Sequence, residues 1–184
     1  MPLNFGQIKT RYDEVTGTTS VRASLAMHID DAQIEIAKRY GTIVRHEYAD
    51  AETGEEYDLP DDHLRTEQIR DEDNELRYDY QITADGKIIF SADGTYFLHY
   101  TKVPENIAYE DNDAEPEVHQ VFHGMILQYC LSKYWEEQSE GIPAEEAKSQ
   151  KMLTEFYRKV DEAAHELRKR AYAHEYLDVH PIAR

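Results

Sequence analysis

His119 and His123 lie four residues apart in a stretch with helical apolar spacing, so on a helix their imidazoles would share one face and could bind a metal together. A metal site needs at least a third donor, and Glu115, where the predicted helix begins, is the nearest. Asp111, Asp113 and Glu115 alternate like part of a calcium loop, but the glycine turn and the distal glutamate of that motif are missing. They read instead as a solvated loop plus a helix cap. Cys130 sits among helix-periodic apolar residues and reads as a buried structural thiol rather than a nucleophile. The chain contains no G-x-S-x-G, no phosphate-binding glycine loop and no H-E-x-x-H. With 38 acidic residues, any choice of a catalytic carboxylate pair would be arbitrary. The expectation is therefore a protein without catalytic residues or cofactor. A metal-binding protein or enzyme using His119 and His123 is the alternative.

The elements that would position these residues are helices at both ends and strands in between. Residues 4–15 read as a short helix stopped at Thr16-Gly17, and Thr18, Thr19 and Ser20 offer capping hydroxyls for a helix over 21–40. Val21, Leu25, Ile29, Ala32 and Ile36 give that helix one apolar stripe, and Gly41 closes it. Residues 43–48 are strand-prone, 52–55 a turn, and 64–70 a further strand or an irregular crossing. Leu76, Tyr78, Tyr80 and Ile82 alternate as in one half-buried strand. Asp85-Gly86 and Asp93-Gly94 predict tight turns in a small antiparallel sheet whose last strand, 95–102, sets Tyr96, Leu98 and Tyr100 on one face and Phe97 and His99 on the other. After an acidic loop over 110–115, Asp113 could cap a long helix with Pro116 in its first turn, ending before Ser139-Glu140-Gly141-Ile142-Pro143. A final helix is predicted over 144–172, acidic at its start and basic at Arg168, Lys169 and Arg170. The predicted fold is thus α+β: a long-helix bundle of N-terminal helices and a C-terminal antiparallel helix pair, with a small antiparallel β region inserted at 43–102. The whole of 1–184 reads as a single domain, and 173–184 as an extended C-terminal tail.

Charge narrows the function. Twenty basic against 38 acidic residues give a formal net charge of −18, which repels nucleic acid at long range and disfavours sequence-specific DNA binding. A channel through which DNA slides, by contrast, is better lined with repulsive than with adhesive charge. An acidic inhibitor that mimics DNA is a further alternative. Apolar runs are very short and the first ten residues hold no apolar segment, so neither a membrane span nor a secretory signal is expected. A single cysteine fits a reducing compartment. Fourteen tyrosines suit interfaces assembled from soluble subunits as well as ordinary packing.

The order of segments carries a resemblance. A helix containing Asp31-Ala32-Gln33-Ile34-Glu35-Ile36-Ala37 precedes Tyr57-Asp58-Leu59-Pro60, and a strand through Tyr96 to Tyr100 runs into Val103-Pro104. An acidic loop leads to Pro116-Glu117-Val118-His119-Gln120-Val121-Phe122-His123, and a long helical pair closes the chain. Over roughly residues 5–170 this resembles the head–tail adaptor (connector, neck) proteins of tailed bacteriophages. The resemblance implies a structural virion protein at the head–tail interface, made in the host cytoplasm. Such proteins form a homo-oligomeric ring, usually of twelve subunits, beneath the portal protein. The ring extends the DNA channel, lets double-stranded DNA pass without specific binding, and offers a platform to the next neck or tail protein. On this reading Arg168, Lys169, Arg170, Tyr172 and Tyr176 would bind the portal. Glu136, Glu137, Glu145, Glu146, Glu155, Asp161, Glu162 and Glu166 would line the channel, and the Asp-Gly turns would meet a neighbouring subunit or the next neck protein.

Overall fold

The computed structural model describes the backbone of residues 2–179 and the side chains of residues 2–170. It is mixed α+β, as the alternation of periodicities predicts, with helices α1 (Phe5–Thr16), α2 (Arg22–Tyr40), α3 (His123–Gln138) and α4 (Pro143–Val179). Between α2 and α3 lie β1 (Ile43–Ala51), β2 (Glu56–Asp58), β3 (His63–Asp71), β4 (Leu76–Arg77), β5 (Tyr80–Ile82), β6 (Lys87–Phe90) and β7 (Gly94–Lys102). The chain divides into two compact units: Gly41–Pro104 forms one, and the segments on either side of it form the other.

In the helical unit, α1 starts at a reciprocal capping box in which Asn4 and Gln7 each satisfy the other's backbone N–H. It ends at Gly17, which takes φ 69° and returns its N–H to the Asp13 carbonyl at 2.9 Å. The expected hydroxyl cap on α2 is not made among the described residues: Ser20 turns to α1 instead, its N–H going to Asp13 Oδ1 at 2.9 Å. The stripe of α2 buries Leu25, Ile29, Ala32 and Ile36 against Phe5 and Ile8 of α1, Ile126 and Cys130 of α3, and Phe156 and Val160 of α4. Burial of this apolar set is the main driving force for the unit, at about 25 cal/mol per Å² removed from water.

The long helix expected from Pro116 begins only at His123, after a 3₁₀ turn over Gln120–Phe122. The loop before it finds its hydrogen bonds elsewhere. The Ala114 and Asn112 carbonyls accept from the Phe5 and Gly6 N–H groups at 2.8 and 2.9 Å, satisfying the first turn of α1. Gly6 eases that approach, because a Cβ there would sit 3.1 Å from the Asn112 oxygen and the loop would have to give by a few tenths of an ångström. At the other end, α4 continues to Val179, through the first residues of the segment expected to be extended from 173. No glycine or proline interrupts the sequence until Pro181, so nothing there breaks the helix.

The β unit is larger than a small inserted sheet. It holds a four-stranded antiparallel sheet in the order β1-β7-β3-β4 and a three-stranded one in the order β2-β6-β5. Tyr96, Leu98 and Tyr100 of β7 are buried on one face as predicted, and they share a core with Tyr48, Ile69, Ile88 and Phe90. Within it the Phe90 and Tyr96 rings stack at 4.1 Å. The alternation over 76–82 does not form one strand: β4 joins the first sheet and β5 the second, leaving Leu76, Tyr78 and Ile82 exposed. Asp85-Gly86 does make the β5–β6 hairpin, with Gly86 at φ 81°, whereas Asp93-Gly94 carries the chain from one sheet to the other.

Candidate functional site

His123 opens α3 and is 2% exposed. Its Nδ1 accepts the Leu3 N–H at 3.1 Å, and its Nε2 lies 2.9 Å from the Val118 carbonyl. A ring nitrogen that accepts from an amide carries no proton, so Nε2 carries it and donates. Both nitrogens are thereby occupied by backbone. His119 is not on that helix: it caps the 3₁₀ turn, its Nδ1 accepting from the Val121 N–H at 3.3 Å. The metal-binding face expected of His119 and His123 is therefore not formed, because the helix begins after the first of them. Among the described residues, no group of three or more His, Cys, Asp and Glu is placed to hold a metal ion. Asp111 accepts the Asp113 N–H at 2.9 Å and Asp113 accepts from the Asn4 amide at 3.3 Å, so these carboxylates brace the loop. Cys130 is fully buried, and burial pushes its thiol well up.

Three residues of α2 hold the loop over 105–117, and none was singled out from sequence. Asp30 Oδ1 accepts the Ile107 N–H at 2.8 Å and the Gln33 amide at 3.1 Å. Gln33, 1% exposed, also accepts the Glu117 N–H at 2.6 Å and lies 3.4 Å from the Glu105 carbonyl. Burial raises the Asp30 carboxyl and the neighbouring Asp31 adds to this, against the opposing hydrogen bonds from Ile107 and Gln33. Arg22 donates to the Tyr109 carbonyl at 2.6 Å and to Asn112 Oδ1 at 2.8 Å. The only sequence signal was a polar glutamine beside an apolar stripe.

Most of the expected portal-binding and channel-lining residues whose side chains are described make local pairs. Arg168 donates to the Arg39 carbonyl in the last turn of α2. Arg39 in turn lies over the Tyr157 ring at 4.4 Å and pairs with Asp161 at 3.0 Å, and Tyr157 donates to Glu35 at 3.2 Å. Burial raises the Glu35 carboxyl, but Lys38, Tyr157 and Arg39 together outweigh that and hold it below its ordinary value. Lys169 pairs with Glu166 at 3.2 Å, and Arg170 is exposed. The side chains of Tyr172 and Tyr176 lie outside the described residues. Glu136 pairs with Lys133 at 2.8 Å, Glu137 with His28 at 3.2 Å, Glu155 with Lys159 at 2.9 Å and Glu162 with Arg158 at 2.6 Å. Glu145 and Glu146 occupy the first turn of α4, where the helix dipole favours them. Glu155, Glu162 and Glu166 recur at spacings of seven and four and share one stripe of α4 with Arg158 and Lys159, so the stripe is mixed in charge.

No protein-family model matches the chain, and no curated protein matches it.

Proposed function

We propose that the chain is a structural adaptor of a tailed-phage virion, forming a ring below the portal that continues the DNA channel and receives the next neck or tail protein. The observation that carries this reading is the order of parts. Two N-terminal helices, a separately packed β unit, an acidic loop pinned to α2 and two C-terminal helices follow the segment order on which the adaptor resemblance rests. In the assembled ring the four helices act as a bundle, with its acidic helix faces toward DNA. Pairing of most of these carboxylates with nearby bases makes any repulsion of DNA a property of each face's net charge, felt only within the Debye length of ~8–10 Å. Charge reversal at Glu155, Glu162 and Glu166 is then expected to slow DNA exit from assembled particles, most at low salt.

Portal attachment falls to the end of α4 beyond Arg168, since Arg168 itself is engaged with α2. Truncation after Arg168 should leave a folded protein that no longer joins the portal. The deciding experiment is co-expression with the portal protein of the same genome, followed by imaging of the particles. Rings stacked on the portal are expected, and a chain that never joins the portal overturns the reading.

A further inference from the structure

The face of the four-stranded sheet opposite the β core is built unlike the rest of this acidic chain. Cross-strand register sets Arg45 of β1 beside His99 of β7, and Phe97 of β7 beside Arg70 of β3. The Arg45 guanidinium lies over the Phe97 ring at 3.7 Å. Arg70 donates to the Asn74 carbonyl at 2.7 Å and to Gln68 at 3.2 Å. Among the described residues neither Arg45 nor Arg70 is paired with a carboxylate; the same face also carries Glu47, and Glu67, which pairs with Arg65 and accepts from Thr101. Partial burial, then the charges of Arg45 and Arg70, holds the His99 imidazole below its ordinary value, consistent with both cations facing it. Ile43, 59% exposed, and Leu76, 44% exposed, flank the arginines on the same face. Two guanidiniums without a carboxylate partner, one of them stacked on an aromatic ring between exposed aliphatic groups, make a surface for an acidic polypeptide.

The helical unit presents such a polypeptide. Tyr109 is 42% exposed, and Glu110, Asp111, Asp113 and Glu115 beside it are all exposed. None of these four carboxylates is paired with a base among the described residues. The loop is already ordered by Arg22, Asp30 and the first turn of α1, so little conformational entropy is lost when it docks. We propose that the Arg45–Phe97–Arg70 face of one copy binds the 109–115 loop of a second copy. The two surfaces differ, so the contact is heterologous, and repetition of it closes a ring or extends a filament. The proposal rests on the self-assembly of the adaptor reading and names the surfaces that make it.

The test is sedimentation equilibrium of the full chain and two variants, Arg45→Gln/Arg70→Gln and Glu110→Gln/Glu115→Gln, with thermal melts to check folding. Wild type is expected to self-associate, and each variant alone to lose association by about tenfold or more. Mixed, the variants retain one competent junction between them and are expected to form a one-to-one dimer that grows no further. A chain carrying Arg45→Glu/Arg70→Glu together with Glu110→Arg/Glu115→Arg should associate again. A wild type that stays monomeric, or folded variants that associate undiminished, overturns the proposal. Self-association that persists while portal attachment fails would instead sink the adaptor reading alone.

Discussion

Replacing His123 by alanine removes two backbone partners at once, leaving the Leu3 N–H and the Val118 carbonyl unsatisfied in a buried site. A loss of about 2–4 kcal/mol is expected by urea denaturation, against at most about 1 kcal/mol for His119→Ala, which removes only a cap. Equal effects would return the two histidines to a common role. Asp30 gives a signed pH dependence. Its folded carboxyl is raised above the ordinary 3.8, so the native state binds the proton more tightly than the unfolded chain. Its contribution to stability is therefore full below the unfolded value and declines as pH rises through the folded one. Asp30→Asn keeps an oxygen for Ile107 and Gln33 and carries no charge. Denaturation midpoints across pH should thus show the variant matching or exceeding wild type at neutral pH, with the advantage vanishing in acid. At this scale the sequence was legible where apolar spacing spoke, as at Cys130. It was silent where one polar side chain serves several backbone groups, because Gln33 has no periodic partner to announce it.

Arg168 acts on a different helix from its own, satisfying a carbonyl that α2 leaves open in its last turn. Arg168→Ala should lower stability by about 0.3–1 kcal/mol and speed hydrogen exchange in the last turn of α2, a local signature that loss of a surface charge alone would not produce. Elements with their own start and stop chemistry could be read from sequence: α1 through Asn4 and Gly17, and the β5–β6 hairpin through Asp85-Gly86. Two misreadings share a physical origin. The residues over 76–82 alternate well enough for one strand, but the chain turns between two sheets at Tyr78-Asp79, and pairing overrides alternation. Pro116 would suit a helical first turn, yet the preceding carbonyls are already committed to α1, a demand visible only in three dimensions.

The two units have separate cores, and the β unit is contiguous in sequence. Residues 41–104 expressed alone should therefore fold and unfold cooperatively, with retained near-ultraviolet dichroism from the stacked Phe90 and Tyr96. A structureless fragment would mean that the β core depends on the helices. The helical unit has no such independence: α1 and α2 are synthesised first, and the helices that cover Leu25, Ile29 and Ile36 come only after the whole β segment. At ~5–20 residues per second that apolar stripe waits several seconds for its cover. The β unit shortens the search that follows. Its first and last strands pair, Ile43 opposite Thr101, and the Lys102 N–H reaches the Thr42 carbonyl at 3.1 Å, so its two ends are stitched together once it folds. What would have been a floppy tether between α2 and the later helices becomes, in effect, a link of a few residues. Loop-closure statistics put the saving near 2 kcal/mol, since each halving of a tether recovers about 0.6 kcal/mol. The sheet thus works as a folding clip, and severing it between Thr42 and Lys102 should slow the refolding of helices it need not touch.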